Sequence, residues 1–268
     1  MADVEGWVAA TLFDRIVCGV DGSPGAREAA RQAAMLVSPT GRLVIVAIGN
    51  VTAGAWAGTG ADAVMLDAYQ ATERAVADAR EAVESLHDCD VEALTGIPAR
   101  DLVGEAGRLE AGVLALGPPA QSRLLGAVVG SVATTAIHDY PKSVLVARVR
   151  DASGAFPGSI VCGVDGSEPA AAAVAVAREL GARFDAPVRY VVAEGGRNVD
   201  ADAARDVVGS SAAIELEGGK PRDVLPRVAD HAGLLVVGSR GLHDARSLGS
   251  VCERVAHTAP CSVLIVRR

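Results

Sequence analysis

Lysine is nearly absent from this chain of 268 residues, which contains only Lys142 and Lys220. Acidic residues outnumber basic ones by 33 to 25, and the formal net charge is −8. A surface for DNA or RNA needs an excess of lysine and arginine against the phosphate backbone, so this balance predicts a protein that does not bind nucleic acid. If side chains contact the phosphate of a smaller ligand, we expect arginine to make that contact.

Aromatic residues are also rare, at 3% of the chain, whereas 50% of the residues are hydrophobic. The core is therefore expected to consist mostly of Ala, Val and Leu. No window approaches the length of an apolar membrane span, and the first residues lack a basic stretch followed by an apolar one, which predicts a cytoplasmic protein without a membrane segment. Five cysteines without a Cys-x-x-Cys pair fit a reducing compartment.

The motifs of three common enzyme classes are missing from the sequence. There is no Gly-x-Ser-x-Gly, no Walker A lysine, and no Gly-x-Gly-x-x-Gly after the first predicted strand, which argues against a hydrolase, a P-loop ATPase and a dehydrogenase. Cys252, His257 and Cys261 are close in sequence, but they fall on a predicted helix and the strand after it. Because no fourth ligand is evident in the sequence, we expect no metal site there.

What the chain does contain is an internal repeat. The octapeptide Ile16–Ser23 recurs without change as Ile160–Ser167. Near the two ends, Ser143–Leu145 matches Ser262–Leu264. A repeat of this length indicates a duplicated domain.

We predict a first domain at residues 1–150 and a second at residues 159–268, joined by a linker of small residues. Apolar strand segments alternate with Ala-rich helical segments in each domain, which predicts an α/β fold with a parallel sheet and helices on both faces. In the first domain the predicted strands cover about 15–20, 42–48, 89–94, 112–117 and 143–148. The second domain is shorter in its middle.

The most informative stretch follows the apolar run Leu234–Val237, which is typical of a buried parallel strand. A glycine-rich turn from Gly238 to Gly241 comes next, and Ser250, with Glu253 three residues later, marks the start of a helix. Such a strand, turn and helix start can bind phosphate, because glycine allows close approach and the first helical N–H groups attract an anion. It also occurs as a capped helix after a loop, and this stretch alone leaves both interpretations open.

The Val-Asp-Gly-Ser after the first strand, the glycine turn with its later Gly-Ser, and the final Ser-Val-Leu strand resemble the universal stress protein family, here as a tandem pair. The resemblance covers essentially the whole chain. It implies two open parallel five-stranded sheets, one per repeat, in the order 3-2-1-4-5. In that order the carboxyl ends of strands one and four adjoin, at the switch point where open sheets bind ligands. Asp21 or Asp165 would then meet the glycine turn of its own domain.

ATP-binding members of the family carry Gly, two residues, Gly, nine residues, and then Gly-Ser or Gly-Thr. The first domain has the right spacing, but Ala120 replaces a glycine and two prolines remove backbone N–H donors. The second domain keeps Gly238 and Gly241, with only seven residues before Gly249. We favour the second domain as the binding site.

The resemblance also implies roles for individual residues. Asp165 would meet the adenine end of the nucleotide, unless it serves only as a turn residue before the helix cap Ser167, and Val188 would line the adenine pocket. The phosphates would lie against residues of the second glycine loop and the following helix start, with an arginine to neutralise charge: Gly238, Arg240, Gly241, Gly249 and Ser250. The counterparts in the first domain are Asp21, Gly117, Gly130 and Ser131.

These features favour a cytoplasmic stress-response protein that binds ATP, ADP or AMP, with or without Mg²⁺, and acts as a sensor or regulator without fast catalysis. Two alternatives stay open, an interaction module that binds no nucleotide and a slow ATPase. Family dimers pair through the last strand, so we expect Val144–Val149 and Val263–Val266 to pair within the chain, because a bare apolar edge invites aggregation. A symmetric homodimer is compatible with the sequence as well.

Overall fold

The architecture is taken from a computed structural model, which describes residues 11–50, 61–118, 131–149, 156–196, 199–210, 212–239 and 250–267. The strands are β1 (Arg15–Val20), β2 (Arg42–Asn50), β3 (Cys89–Gly96), β4 (Val113–Leu116), β5 (Ser143–Val146), β6 (Ile160–Gly163), β7 (Val188–Ala193), β8 (Ile214–Glu217), β9 (Leu234–Gly238) and β10 (Ser262–Val266). The helices are α1 (Pro24–Leu36), α2 (Ala61–Val83), α3 (Pro98–Arg108), α4 (Ser131–Asp139), α5 (Glu168–Phe184), α6 (Ala201–Val208), α7 (Pro221–Val228) and α8 (Ser250–Thr258).

All ten strands form one sheet in the order β3-β2-β1-β4-β5-β10-β9-β6-β7-β8. Each half follows the order 3-2-1-4-5, so the predicted fold class and strand order are confirmed. The two sheets expected as separate units are continuous, because β5 and β10 pair antiparallel with Leu145 opposite Leu264. The other neighbouring strands pair in parallel. The expected pairing of the last strands within the chain is thus observed.

Helices cover both faces of the sheet and divide the core into two layers. One layer contains buried side chains of α1, α2, α5 and α6, and the other contains those of α3, α4, α7 and α8. The central strands β4, β5 and β10 are buried along their whole length, which explains why they appear in the sequence as continuous apolar runs. Within the part of the chain that the structure describes, every helix is too short or too polar to cross a lipid bilayer.

Two buried arginines connect the halves on one face of the sheet. Arg148, just after β5, donates from Nη2 to the carbonyl oxygen of Ala256 (2.6 Å) near the end of α8. Arg267, just after β10, donates to the carbonyls of Ile137 and Tyr140 at the end of α4. Each cation therefore lies at the carboxyl end of the other half's last helix, where the helix dipole favours positive charge.

The backbone beside each arginine is fixed by a serine of the opposite half. The Ser262 hydroxyl accepts from the backbone N–H of Arg148 (3.0 Å), and the Ser143 hydroxyl accepts from that of Arg267 (3.0 Å). Burial lowers the pKa of both guanidinium groups, and the helix carbonyls replace part of the water that they lose.

A third arginine makes a similar contact on the opposite face of the sheet. Arg183 of α5 donates to the carbonyl oxygens of Leu36 (2.7 Å) and Val37 (2.6 Å) at the end of α1. The halves are thus held by side-chain contacts on both faces as well as by the β5–β10 ladder. Most of the predicted linker, residues 151–155, lies outside the described residues, and the domain boundaries stay a prediction.

We predict that Arg148→Met lowers the free energy of unfolding by about 1–3 kcal/mol, because the carbonyls at the end of α8 lose a charged donor in a buried place. Urea denaturation followed by circular dichroism measures the change. Arg205→Met is the matched control, since Arg205 pairs with Asp202 on the exposed surface of α6. It should change the stability by less than about 0.5 kcal/mol. Equal midpoints for the two variants would contradict a structural role for Arg148.

Candidate functional site

A cavity of about 530 Å³ lies at the carboxyl ends of β6, β7 and β9 in the second half. β6 is the first strand of that half and β9 is its fourth, so the cavity is at the point where the strand order reverses. The starts of α5, α7 and α8 also line it. Open parallel sheets bind ligands at this position, because the loops leave in opposite directions and separate there.

Asp165 lines the cavity directly after β6. Its Oδ1 accepts from the backbone N–H of Ser167 (3.0 Å) and from the Ser167 hydroxyl (2.6 Å). Ser167 in turn caps α5 by accepting from the N–H of Ala170. Gly166 has a φ of +83°, a conformation that favours glycine. The repeated Asp-Gly-Ser therefore builds a turn that also presents a carboxylate to the cavity.

Gly238 ends β9 and lines the cavity, but packing alone already requires a glycine there. A Cβ at this position would overlap the carbonyl group of Pro169 and lie 2.8 Å from the amide nitrogen of Ala170. In the first half, a Cβ at Gly117 would lie 2.6 Å from the amide nitrogen of Ala26. Both glycines allow the end of a strand to approach the start of a helix.

Two cations of the cavity, Lys220 and Arg222, were not assigned from the sequence. They lie at the start of α7, on either side of Pro221. One of the two lysines of the chain thus lines the cavity beside an arginine, and the expectation that arginine makes any side-chain contact to phosphate stays a prediction. No local pattern in the sequence marks these two cations, since the order of the strands brings the loop after β8 to the cavity.

The floor of the cavity is apolar, and Val188 is not part of it. Val188 lies at the start of β7, opposite Ile160 in the register, whereas Val191 and Ala193 of the same strand line the cavity. A strand rises about 3.3 Å per residue, so Val188 is about 10 Å below Val191. Val188 is therefore not among the described residues that line this cavity, and its role in an adenine pocket stays a prediction. Leu225 completes the floor.

Cys252, in the first turn of α8, faces the cavity as a neutral thiol. Its Sγ donates to the carbonyl oxygen of Gly238 (3.5 Å), and burial raises the pKa of the thiol to about 11. Its sequence neighbours His257 and Cys261 lie at the end of α8 and just before β10. Among the described residues, no group of three or more His, Cys, Asp and Glu side chains is placed to hold a metal ion.

The remaining predicted site residues are only partly described. Asp21 follows β1 and accepts from the backbone N–H of Ser23 (3.0 Å), and Ser131 begins α4. Of Ser250, the structure describes only its place as the first residue of α8. The following assigned residues lie outside the described residues: Gly130, Arg240, Gly241 and Gly249. Their roles stay predictions.

A parallel sheet with helices on both faces and a cavity at its switch point defines a doubly wound α/β protein. The profile of the Universal stress protein family matches residues 12–148 and 192–267, and the chain belongs to that family. No curated protein matches the sequence significantly.

Solved structures share the complete arrangement of both halves. A universal stress protein from Archaeoglobus fulgidus DSM 4304 is 16% identical, with a TM-score of 0.75 over 96% of this chain and 99% of that one. A functionally unknown protein from Pseudomonas aeruginosa PAO1 is also 16% identical, with a TM-score of 0.69 over 96% of this chain and 94% of that one. At this level of identity the likeness shows the fold alone.

We predict that Gly238→Ala lowers the free energy of unfolding by about 1–3 kcal/mol, because the added Cβ overlaps the backbone at the start of α5. Gly104→Ala is the control, since a Cβ there has no neighbour within 4 Å among the described residues. In the interior of α3 that change should be neutral or stabilising by up to about 1 kcal/mol. Chemical denaturation of both variants checks the pair, and equal destabilisation would contradict the close approach at Gly238.

We also predict that Cys252 resists alkylation in the folded protein. With a pKa of about 11, only about one thiol in a thousand is ionised at pH 8, and the thiolate is the reactive form. The half-buried Cys89 is the internal comparison. Iodoacetamide labelling at pH 8, followed by peptide mass spectrometry, should modify Cys89 well before Cys252. Labelling of both residues at the same rate would show that Cys252 is neither buried nor protonated.

Proposed function

We propose that this universal stress protein is a cytoplasmic stress-response protein that binds an adenine nucleotide in the cavity of its second half. It acts as a sensor or regulator and not as a fast enzyme. One observation carries the proposal: a carboxylate, Asp165, two cations, Lys220 and Arg222, and the start of α8 converge on one cavity at the switch point.

The size and lining of the cavity fit a nucleotide. Its volume of about 530 Å³ is within the roughly 300–1,000 Å³ typical of small-molecule sites. Val191, Ala193 and Leu225 provide an apolar floor suited to a planar base. The cations and the α8 helix start favour phosphate, because both supply positive potential and N–H donors.

The second half is the better candidate because the first half lacks the same cations. Gly19 of β1 and Gly163 of β6 correspond, and a Cβ at either would meet a leucine, Leu102 in the first half and Leu225 in the second. When Leu102 is aligned with Leu225, Ile97 corresponds to Lys220 and Ala99 to Arg222.

Pro118 also occupies space in the part of the first half that corresponds to the cavity. A Cβ at Gly25 would lie 2.7 Å from Cδ and 2.9 Å from Cγ of the Pro118 ring. The ring therefore packs against the start of α1, and Pro118 has no N–H to donate to a phosphate.

The lining supports binding without rapid turnover. Asp165 is the one carboxylate among the described residues that line the cavity, and its Oδ1 already accepts two hydrogen bonds. A general base beside a terminal phosphate would need another such group. If Mg²⁺ accompanies the nucleotide, the phosphates and water would supply most of its oxygen ligands and Asp165 the nearest carboxylate. All five cysteines are free thiols, which supports a reducing location.

The test is calorimetric titration with ATP, ADP and AMP, together with mass spectrometry of any nucleotide released from the denatured protein. We predict that Asp165→Asn weakens binding about ten- to a hundredfold, the effect of losing one charge-assisted hydrogen bond. Asparagine keeps an acceptor for Ser167, so the turn before α5 should survive. Asp21→Asn, the same change in the first half, should leave the affinity unchanged.

Three outcomes would contradict the proposal. If the wild-type protein neither retains nor binds an adenine nucleotide, an interaction module without nucleotide is the better description. Equal losses in the two variants would place binding in both halves or outside the second cavity. Phosphate release from ATP at about 1 s⁻¹ or faster, in the range of ordinary enzymes, would make the protein an enzyme.

A further inference from the structure

We infer that Lys220 and Arg222 form a phosphate subsite at the α7 end of the cavity, across it from the start of α8. This inference rests on the proposed nucleotide binding and adds to it which side chains recognise phosphate. The ligand would therefore carry a phosphate group at the α7 end. That group is either the end of a 5′-polyphosphate chain or a phosphate on a ribose hydroxyl.

The two cations belong to the cavity but have no strong partner in the protein. Both lie at its exposed rim, within the first residues of α7. Within the described ranges, Lys220 makes no ion pair, and the carboxylate nearest to Arg222 is that of Asp223, at 3.8 Å. A pair that long between exposed groups contributes little, so Arg222 is available to a ligand.

The start of α7 carries two cations and one carboxylate, Asp223. Lys220 occupies the cap position, and no described side chain accepts from the first N–H groups of the helix. A helix start with two adjacent cations attracts an anion more strongly than either feature alone.

The start of the corresponding helix in the first half is capped by a carboxylate. Asp101 of α3 folds back over its start, and its Oδ2 accepts from the backbone N–H of Ile97 (2.8 Å). Val224 stands at the matching position of α7 and cannot accept. In the first half, Asp101 thus satisfies the helix start and pairs with Arg100 (2.7 Å). In the second half, the contact of Arg222 with Asp223 is longer (3.8 Å), and Lys220 makes no ion pair among the described residues.

The subsite and the start of α8 lie at different ends of the cavity. β8, which leads to α7, is separated from β9, which leads to α8, by β6 and β7. The backbone N–H of Gly195 donates to the carbonyl of Gly219 (2.9 Å), which places the loop before Lys220 beside the end of β7. Strands lie about 4.8 Å apart, so the two ends of the cavity are about 10–14 Å from each other.

The experiment compares wild type with the double variant Lys220→Ile and Arg222→Ala, which installs the side chains of the first half. Calorimetry is performed with adenosine, AMP, ATP and adenosine 3′,5′-bisphosphate. We expect ATP or the bisphosphate to bind at least tenfold more weakly to the variant, with adenosine unchanged. The ligand that shows the loss identifies which phosphate the subsite holds. Arg100→Ala, at the start of α3, removes an exposed cation from the first half and should change nothing.

Two results would overturn the inference while the proposed function stands. The first is that phosphorylated ligands bind the double variant as tightly as they bind wild type. The second is that the affinity for adenosine falls as much as the affinity for the phosphorylated ligands, which would indicate a change of cavity shape. A second double variant, Lys220→Gln with Arg222→Gln, keeps side-chain length and guards against misfolding. Thermal unfolding of each variant verifies the fold.

A further titration tests the phosphate subsite independently of adenine binding. If wild type binds no adenine compound, the proposed function fails, and tripolyphosphate is then titrated into wild type and the double variant. Binding to wild type that is at least tenfold tighter supports the subsite for another phosphorylated ligand. Equal or undetectable binding to both would reject it.

Discussion

The antiparallel pairing of β5 with β10 is the contact on which the arrangement of the two halves depends. Without it, each half would expose the edge of a fully apolar strand, which is an aggregation hazard. The pairing removes both edges at once and brings Arg148 and Arg267 to the ends of α8 and α4, where each cation satisfies carbonyls of the opposite half.

The outer edges, β3 and β8, are protected differently. They carry acidic residues that pair with arginines of neighbouring elements, as Asp90 does with Arg42 and Glu215 with Arg189.

The two halves, joined through β5 and β10, are copies of one fold. They need not have the same function. Packing requires the glycine that ends or follows the fourth strand in both halves, as Gly117 and Gly238 show, and the Asp-Gly-Ser turn caps the next helix in both. A motif that the fold itself requires is weak evidence for a ligand. The difference between the halves lies in the side chains around the motif, where Ile97 is replaced by Lys220 and Asp101 by Val224. Under the proposed function, the second half holds the ligand and the first half serves as its structural partner.

Asp165 and Cys252, two polar groups that line the cavity of the second half, are hydrogen-bonded within the protein. Asp165 holds the turn before α5, and Cys252 donates to the end of β9. These contacts fix the shape of the cavity before any ligand arrives, which reduces the ordering cost of binding. Under the proposed function, the two cations at the start of α7, of which only Arg222 makes an ion pair among the described residues (3.8 Å), would bind the charge of the ligand.

The sequence by itself determined the duplication, the α/β class and, through the family resemblance, the strand order and the pairing of the last strands. Identical octapeptides and alternating apolar segments are local signals. Both can be recognised without knowing which distant residues are in contact. Tertiary structure decided what depends on neighbours that are distant in the chain. Lys220 and Arg222 reach the cavity because the sheet order places the end of β8 beside that of β7. Val188 lies at the other end of its strand from Val191 and Ala193, which line the cavity. The contacts of Arg148 and Arg267 cross between halves, and no local pattern encodes which helix end a distant side chain will meet.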